Sequence, residues 1–147
     1  MSLDEQMSRD LHQAMKGGDK LRVSTLRLLK AALKNREIAK GAVLEEDEVI
    51  EVVIAATKQR RETIKFAREH GRADIAEQEE HELAILETYL PTQLNLDEVR
   101  QHIDAVVQEL RATSPQDVGR VMKSLMPTLK GRIDGSLVNR LVRERLA

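Results

Sequence analysis

Apolar residues recur every three or four positions along almost the whole chain, and no segment alternates with period two, so the pattern predicts helices and no strand. Ser2 and Glu5 form a capping box ahead of Leu3, Met7, Leu11 and Met15, a first helix that runs to Gly17-Gly18. Asp19 can cap a second, striped by Val23, Leu26, Leu29 or Lys30, and Leu33, with Gly41 past its end. The acidic cluster Glu45 to Glu48 suits the positive end of a third helix. Val49, Val52, Val53, Ala56, Ile64 and Ala67 carry that helix to Gly71. At about 25 residues it would be roughly 37 Å long. A fourth places Ile75, Glu79, Leu83, Leu86 and Leu90 on one stripe and stops before Pro91. The third and fourth are predicted to pair as a long antiparallel hairpin.

Tyr89-Leu90-Pro91-Thr92-Gln93-Leu94 is the predicted boundary, because the residue before a proline is pushed out of helical space. Asn95 with Glu98 caps a fifth helix defined by Leu96, Val99, Ile103, Val106 and Leu110. Ser114-Pro115, a cap with proline at the first helical position, starts a sixth striped by Val118, Val121, Met122 and Leu125. Pro127 should end or kink it. Leu137, Val138, Leu141, Val142 and Leu146 define a seventh. The expected fold is therefore all-α. An amino-terminal helical domain over 1–92 contains the hairpin, and a small three-helix domain occupies 93–147.

A chain of 147 residues suits one compact domain or two small ones. The absence of cysteine removes disulfides, thiolate zinc sites and a cysteine nucleophile. No run approaches the ~18 apolar residues of a membrane span. Met1-Ser2-Leu3-Asp4-Glu5 is acidic and lacks a secretory apolar region, which reads as a cytoplasmic protein. Charged residues make up 33% of the chain at a net charge of −1, and they are segregated. From Ala112 to Ala147 there are 7 cations against 3 anions, whereas the acidic excess lies upstream. A basic end on a neutral chain points to an anionic partner for that end; a solvated helix surface is the competing explanation.

Catalytic chemistry finds little support. No serine lies in a Gly-x-Ser-x-Gly or Ser-x-x-Lys context, and no Gly-x-x-x-x-Gly-Lys phosphate loop occurs. His12, His70, His81 and His102 fall on separate predicted helices. The Glu-x-x-His pattern of di-metal bundles fails at His81 and His102, where Gln78 and Val99 stand three residues earlier. No catalytic residue, metal site or cofactor is expected. Glu79 on an apolar stripe is expected to pair with Arg60 or Arg61. Phe66 and Tyr89 are the only aromatics, so any nucleic-acid contact must read phosphates and shape rather than stack bases.

Lys130-Gly131-Arg132-Ile133-Asp134-Gly135 is the most informative segment: two cations on a glycine-bracketed loop between two helices. Gly131 and Gly135 are expected to adopt backbone conformations closed to other residues. Lys130 and Arg132 would then point outward, Ile133 would anchor the loop, and Asp134 or Ser136 would cap the last helix. Gly119 inside a helix costs about 1 kcal/mol against alanine. Close packing against the last helix is the expected compensation.

Several stretches resemble the GatB/YqeY family: Asp117-Val118-Gly119-Arg120-Val121-Met122, Met126-Pro127, Lys130-Gly131-Arg132-x-Asp134-Gly135 and Val138-Asn139-x-Leu141-Val142. So do Leu26-Arg27-Leu28-Leu29-Lys30-Ala31-Ala32, Lys58-Gln59-Arg60-Arg61-Glu62 and Tyr89-Leu90-Pro91-x-Gln93-Leu94. The likeness covers nearly the whole chain, in the order of the stand-alone YqeY proteins. It implies the two-part helical fold and a module like the tail of GatB, a subunit of the glutamine-dependent tRNA amidotransferase, which contacts the body of the tRNA. Carbon-nitrogen ligase activity with glutamine as amido donor belongs to the larger enzyme, whose catalytic regions have no counterpart here. By this analogy Arg120, Lys123, Lys130 and Arg132, then Arg140 and Arg143, are the expected phosphate contacts. Gly119, Gly131, Asp134 and Gly135 are expected to shape their scaffold.

The resemblance thus implies a non-catalytic tRNA-binding module that partners the protein machinery of tRNA amidation or translation, with no membrane. Two other readings stand beside it. One is a helical protein-interaction module displaying exposed apolar residues such as Ile38, Ile50 and Ile85. The other is a helix-turn-helix, disfavoured because Ser136-Leu137-Val138 offers few polar side chains for reading base edges.

Overall fold

A computed structural model describes every residue, Met1–Ala147. It is all-α: α1 (Leu3–Gly17), α2 (Lys20–Lys40), α3 (Glu46–Glu69), α4 (Ala73–Glu87), α5 (Leu96–Leu110), α6 (Val118–Leu129) and α7 (Gly135–Leu146), with one 3₁₀ turn at Pro115–Asp117. The chain divides into two compact units, Met1–Leu90 and Pro91–Ala147. No helix is long and apolar enough to cross a membrane.

Local chemistry sets the helix ends. The Ser2 hydroxyl accepts the Glu5 N–H, the Asp19 carboxylate accepts the Arg22 N–H, and Asn95 exchanges a reciprocal pair with Glu98. Gly18 and Gly41, at φ +72° and +77°, close α1 and α2 in the left-handed conformation.

In the first unit, Met7, Leu26, Leu29, Leu33, Val53, Leu86 and Tyr89 form the main core. A smaller cluster of Ile64, Ala67 and Ala76 joins α3 to α4. Tyr89 is buried, and its hydroxyl donates to Asp10 at 2.6 Å. Burial, and then the neighbouring Asp10 carboxylate, push that phenol far above its ordinary range. The aromatic of the boundary motif therefore ties the end of the α4 segment to α1.

Ion pairs join α3 to α4: Arg60 with Glu79 and Glu82, Arg61 with Glu87, and Arg68 with Glu80. The stripe predicted for α4 is rotated. Ala76, Glu82, Ile85 and Leu86 are its buried residues, so Glu82 rather than Glu79 lies deepest. Of the three isoleucines expected on the surface, Ile38 is 69% exposed, Ile50 is half-buried and Ile85 is buried at 8%. The Arg60 Nε lies 3.3 Å from an oxygen of each glutamate, and without the alignment for a hydrogen bond to either.

Desolvation, then the adjacent Glu79 charge, hold the Glu82 carboxyl above the usual carboxylate range, and Arg60 only partly opposes them. A carboxyl raised in the fold stabilises it below the unfolded pKa and loses that contribution as pH rises through the folded one. Glu82→Gln should therefore raise the melting temperature at pH 7 and change it little at pH 4. Thermal melts at both pH values check this.

The second unit has its own core of Val99, Ile103, Val107, Val121, Leu125, Leu129, Val138, Leu141, Val142 and Leu146. Two helix boundaries differ here from those expected. The segment after Ser114 begins as a 3₁₀ turn, because the Asp117 carboxylate reaches back to the N–H groups of Thr113 and Ser114 at 2.9 and 3.2 Å. Pro127 does not end α6, which runs on to Leu129. The proline removes only the bond to the Lys123 carbonyl, on the exposed side of the helix.

Candidate nucleic-acid interface

α6 and α7 pack against each other, and their apolar faces point to one core. Polar positions three apart thus fall outward: Arg120 and Lys123 on α6, Arg140 and Arg143 on α7, all exposed.

Their surroundings differ. The Arg120 guanidinium donates to Asp117 at 3.1 Å. That carboxyl is held below its ordinary range, first by the Thr113 N–H and then by Arg120. Arg140 sits 3.8 Å from Glu144 with both side chains mostly in solvent, and Arg145 binds Asp104 at 3.0 Å. Exposed pairs of this kind are screened by solvent and contribute little to stability. Lys123 and Arg143 pair with no acid at all.

The loop between the two helices is built rather than slack. Gly131 is buried at φ +77°, the left-handed region that glycine enters without steric cost. Its carbonyl accepts from the Gln93 amide at 2.7 Å, and the Leu94 N–H donates to the Arg132 carbonyl at 2.8 Å. The Arg132 Nε donates to the Thr92 carbonyl at 3.1 Å. Ile133 packs on the core, and the Asp134 carboxylate accepts the Ser136 N–H as the cap of α7.

Several sequence expectations change here. Lys130 is exposed, but Arg132 is half-buried and its guanidinium is engaged with backbone. It fastens the loop rather than projecting freely from it. Gly135 is the first residue of α7 and is not among the positive-φ glycines. Gly119 lies within α6, and a side chain there would meet nothing within 4 Å, so close helix packing does not explain it. Two opposite results follow. Gly119→Ala should stabilise by about 0.5 to 1 kcal/mol, whereas Gly131→Ala should cost about 1–2 kcal/mol through its left-handed backbone. Urea titration of the two variants measures both.

Sequence reasoning missed Gln93. It was visible in the boundary motif, but its bond spans 38 residues and no local pattern encodes it. No group of three or more His, Cys, Asp or Glu side chains is arranged to hold a metal ion.

The sequence profile of a family described as Yqey-like protein matches residues 4–146. The chain belongs to this Yqey-like family. Curated relatives agree. The Lachancea thermotolerans protein named "Altered inheritance of mitochondria protein 41, mitochondrial" is 32% identical over 113 residues, covering 74% of this chain and 60% of its own length. A protein of the same name from Vanderwaltozyma polyspora is 34% identical over 85 residues, 57% of this chain and 46% of the relative. A third, from Pyrenophora tritici-repentis, is 23% identical over 142 residues, 94% of this chain and 77% of the relative. The match to the first two thus spans about half to three-fifths of those relatives.

These names overturn the cytoplasmic reading, since the relatives are designated mitochondrial. The physical basis of that reading was too narrow. A missing secretory apolar region says nothing about targeting segments that are amphipathic and rich in arginine.

Proposed function

We propose that this Yqey-like chain is a non-catalytic RNA-binding module that holds tRNA by its phosphate backbone and works alongside tRNA amidation. One observation carries the reading: between Val118 and Ala147 seven cations face two carboxylates, and both carboxylates are occupied. Asp134 caps α7 and Glu144 lies against Arg140. Lys123, Lys130 and Arg143 remain exposed on two packed helices and the loop joining them.

Phosphate recognition needs exposed cations on a fixed scaffold and no stacking platform. In this reading α3 and α4 form the antiparallel hairpin of an amino-terminal domain, and α5, α6 and α7 are the small three-helix domain that meets RNA. The link to amidation rests on the family resemblance. Equilibrium binding of the purified chain to tRNA between 50 and 200 mM salt tests the reading. Affinity that falls steeply with salt supports it, and no binding at the low-salt end overturns it.

A further inference from the structure

α2 is the most basic helix of the chain, with seven cations and a single carboxylate, Glu37, in its 21 residues. Four of the cations are matched. Arg22 pairs with Asp19, Lys30 with Asp4, Arg36 with Glu51 and Lys40 with Glu48. The other three are Lys20, Arg27 and Lys34, all exposed and none paired with an acid. They stand seven residues apart, hence on one face with only about 20° of drift per step, at intervals of about 10 Å along the axis.

The unmatched cations border apolar surface. Leu28 is 59% exposed and Met15 51% exposed, beside Val23 and Ala14 in an open groove between α1 and α2 that Lys20 and Arg27 also line. Leu26, Leu29 and Leu33 already supply the core contacts of α2, so packing within the unit accounts for neither Arg27 nor Leu28. Lys20 also borders a depression with Asp74 and Glu77 but pairs with neither, and Asp74 is engaged by Arg72.

We infer that the α1–α2 groove docks an acidic amphipathic helix of a partner protein. The partner's apolar face would cover Met15, Val23 and Leu28, and its carboxylates, repeating at seven-residue spacing, would meet Lys20, Arg27 and Lys34. A helix laid in a groove is a common recognition mode. Charge complementarity chooses the occupant: a partner helix of opposite sign matches both the spacing and the strip of apolar surface. An RNA backbone would satisfy the cations but leave Met15 and Leu28 in water.

The test places a photo-crosslinking amino acid at position 28 of the full chain in its source cells and sequences the adducts. The expected adduct is a protein segment with apolar residues at helical spacing and a surplus of Asp and Glu. Its yield should fall about tenfold or more in the Lys20→Glu, Arg27→Glu, Lys34→Glu variant. A synthetic peptide of that segment should lose affinity to the same extent with this variant and with Leu28→Asp, while tRNA affinity stays unchanged. Because all four positions are exposed, circular dichroism should show both variants folded. Adducts to RNA, to lipid or to a second copy of the chain would overturn the proposal. So would a yield no higher than from the same probe at Lys65, or one indifferent to the three charges.

Discussion

Reversing charge at three exposed positions together, Lys123→Glu, Lys130→Glu and Arg143→Glu, should weaken tRNA binding by at least about tenfold in 50 mM salt. It should also lower the salt slope by about 2.7, since each phosphate contact on a duplex contributes about 0.9. The expectation is specific to these positions because their side chains are exposed and lie outside the hydrophobic core. Arg132→Ala should behave differently. Its guanidinium holds the Thr92 carbonyl, so its loss should appear in stability first and in the salt slope second. Titrations across 50–200 mM salt separate the two effects. An unchanged slope in the triple variant would remove the assigned contacts, whatever happened to affinity at one salt concentration.

The second large effect lies in the other unit. Arg60→Leu should destabilise the first unit by about 3 kcal/mol at pH 7, because it strands Glu79 and Glu82 in a poorly hydrated site. For a unit of this size that corresponds to a fall in melting temperature of about 10 °C or more. The deficit should shrink on acidification. Without the guanidinium the Glu82 carboxyl is pushed up further, so below its unfolded pKa it enters the fold neutral and that part of the penalty fades. Thermal melts at pH 7 and pH 4 measure the difference. Equal losses at both would mean that Arg60 acts through the packing of its methylene stem.

What the sequence made legible was local. Ser2, Asp19 and Asn95 announced their helix starts because a cap and its N–H partner lie three residues apart. The stripes of α3 and α7 were equally plain: that of α7 faces one core, and that of α3 supplies the main core of its unit and then the smaller cluster beside α4. α4 was not. Its burial depends on Arg60 approaching from another helix, and a buried glutamate breaks the very pattern by which a stripe is recognised. The same limit applies to the candidate site. The cations and the loop glycines could be named, but not which were already committed. Arg132 is bound by a carbonyl 40 residues away and Arg120 by a carboxylate that also closes a turn. Gly119 is still without a structural reason.

The bonds from Thr92, Gln93 and Leu94 to Gly131 and Arg132 have a kinetic meaning. A loop that must order itself around its ligand adds an unfavourable entropy to every encounter. This one is immobilised when the unit folds, so under the proposed function Lys130 would meet an arriving polyanion from a foundation already set. Capture of that kind depends on diffusion and long-range attraction rather than on rearrangement, and it would suit a module that takes up and releases its cargo quickly.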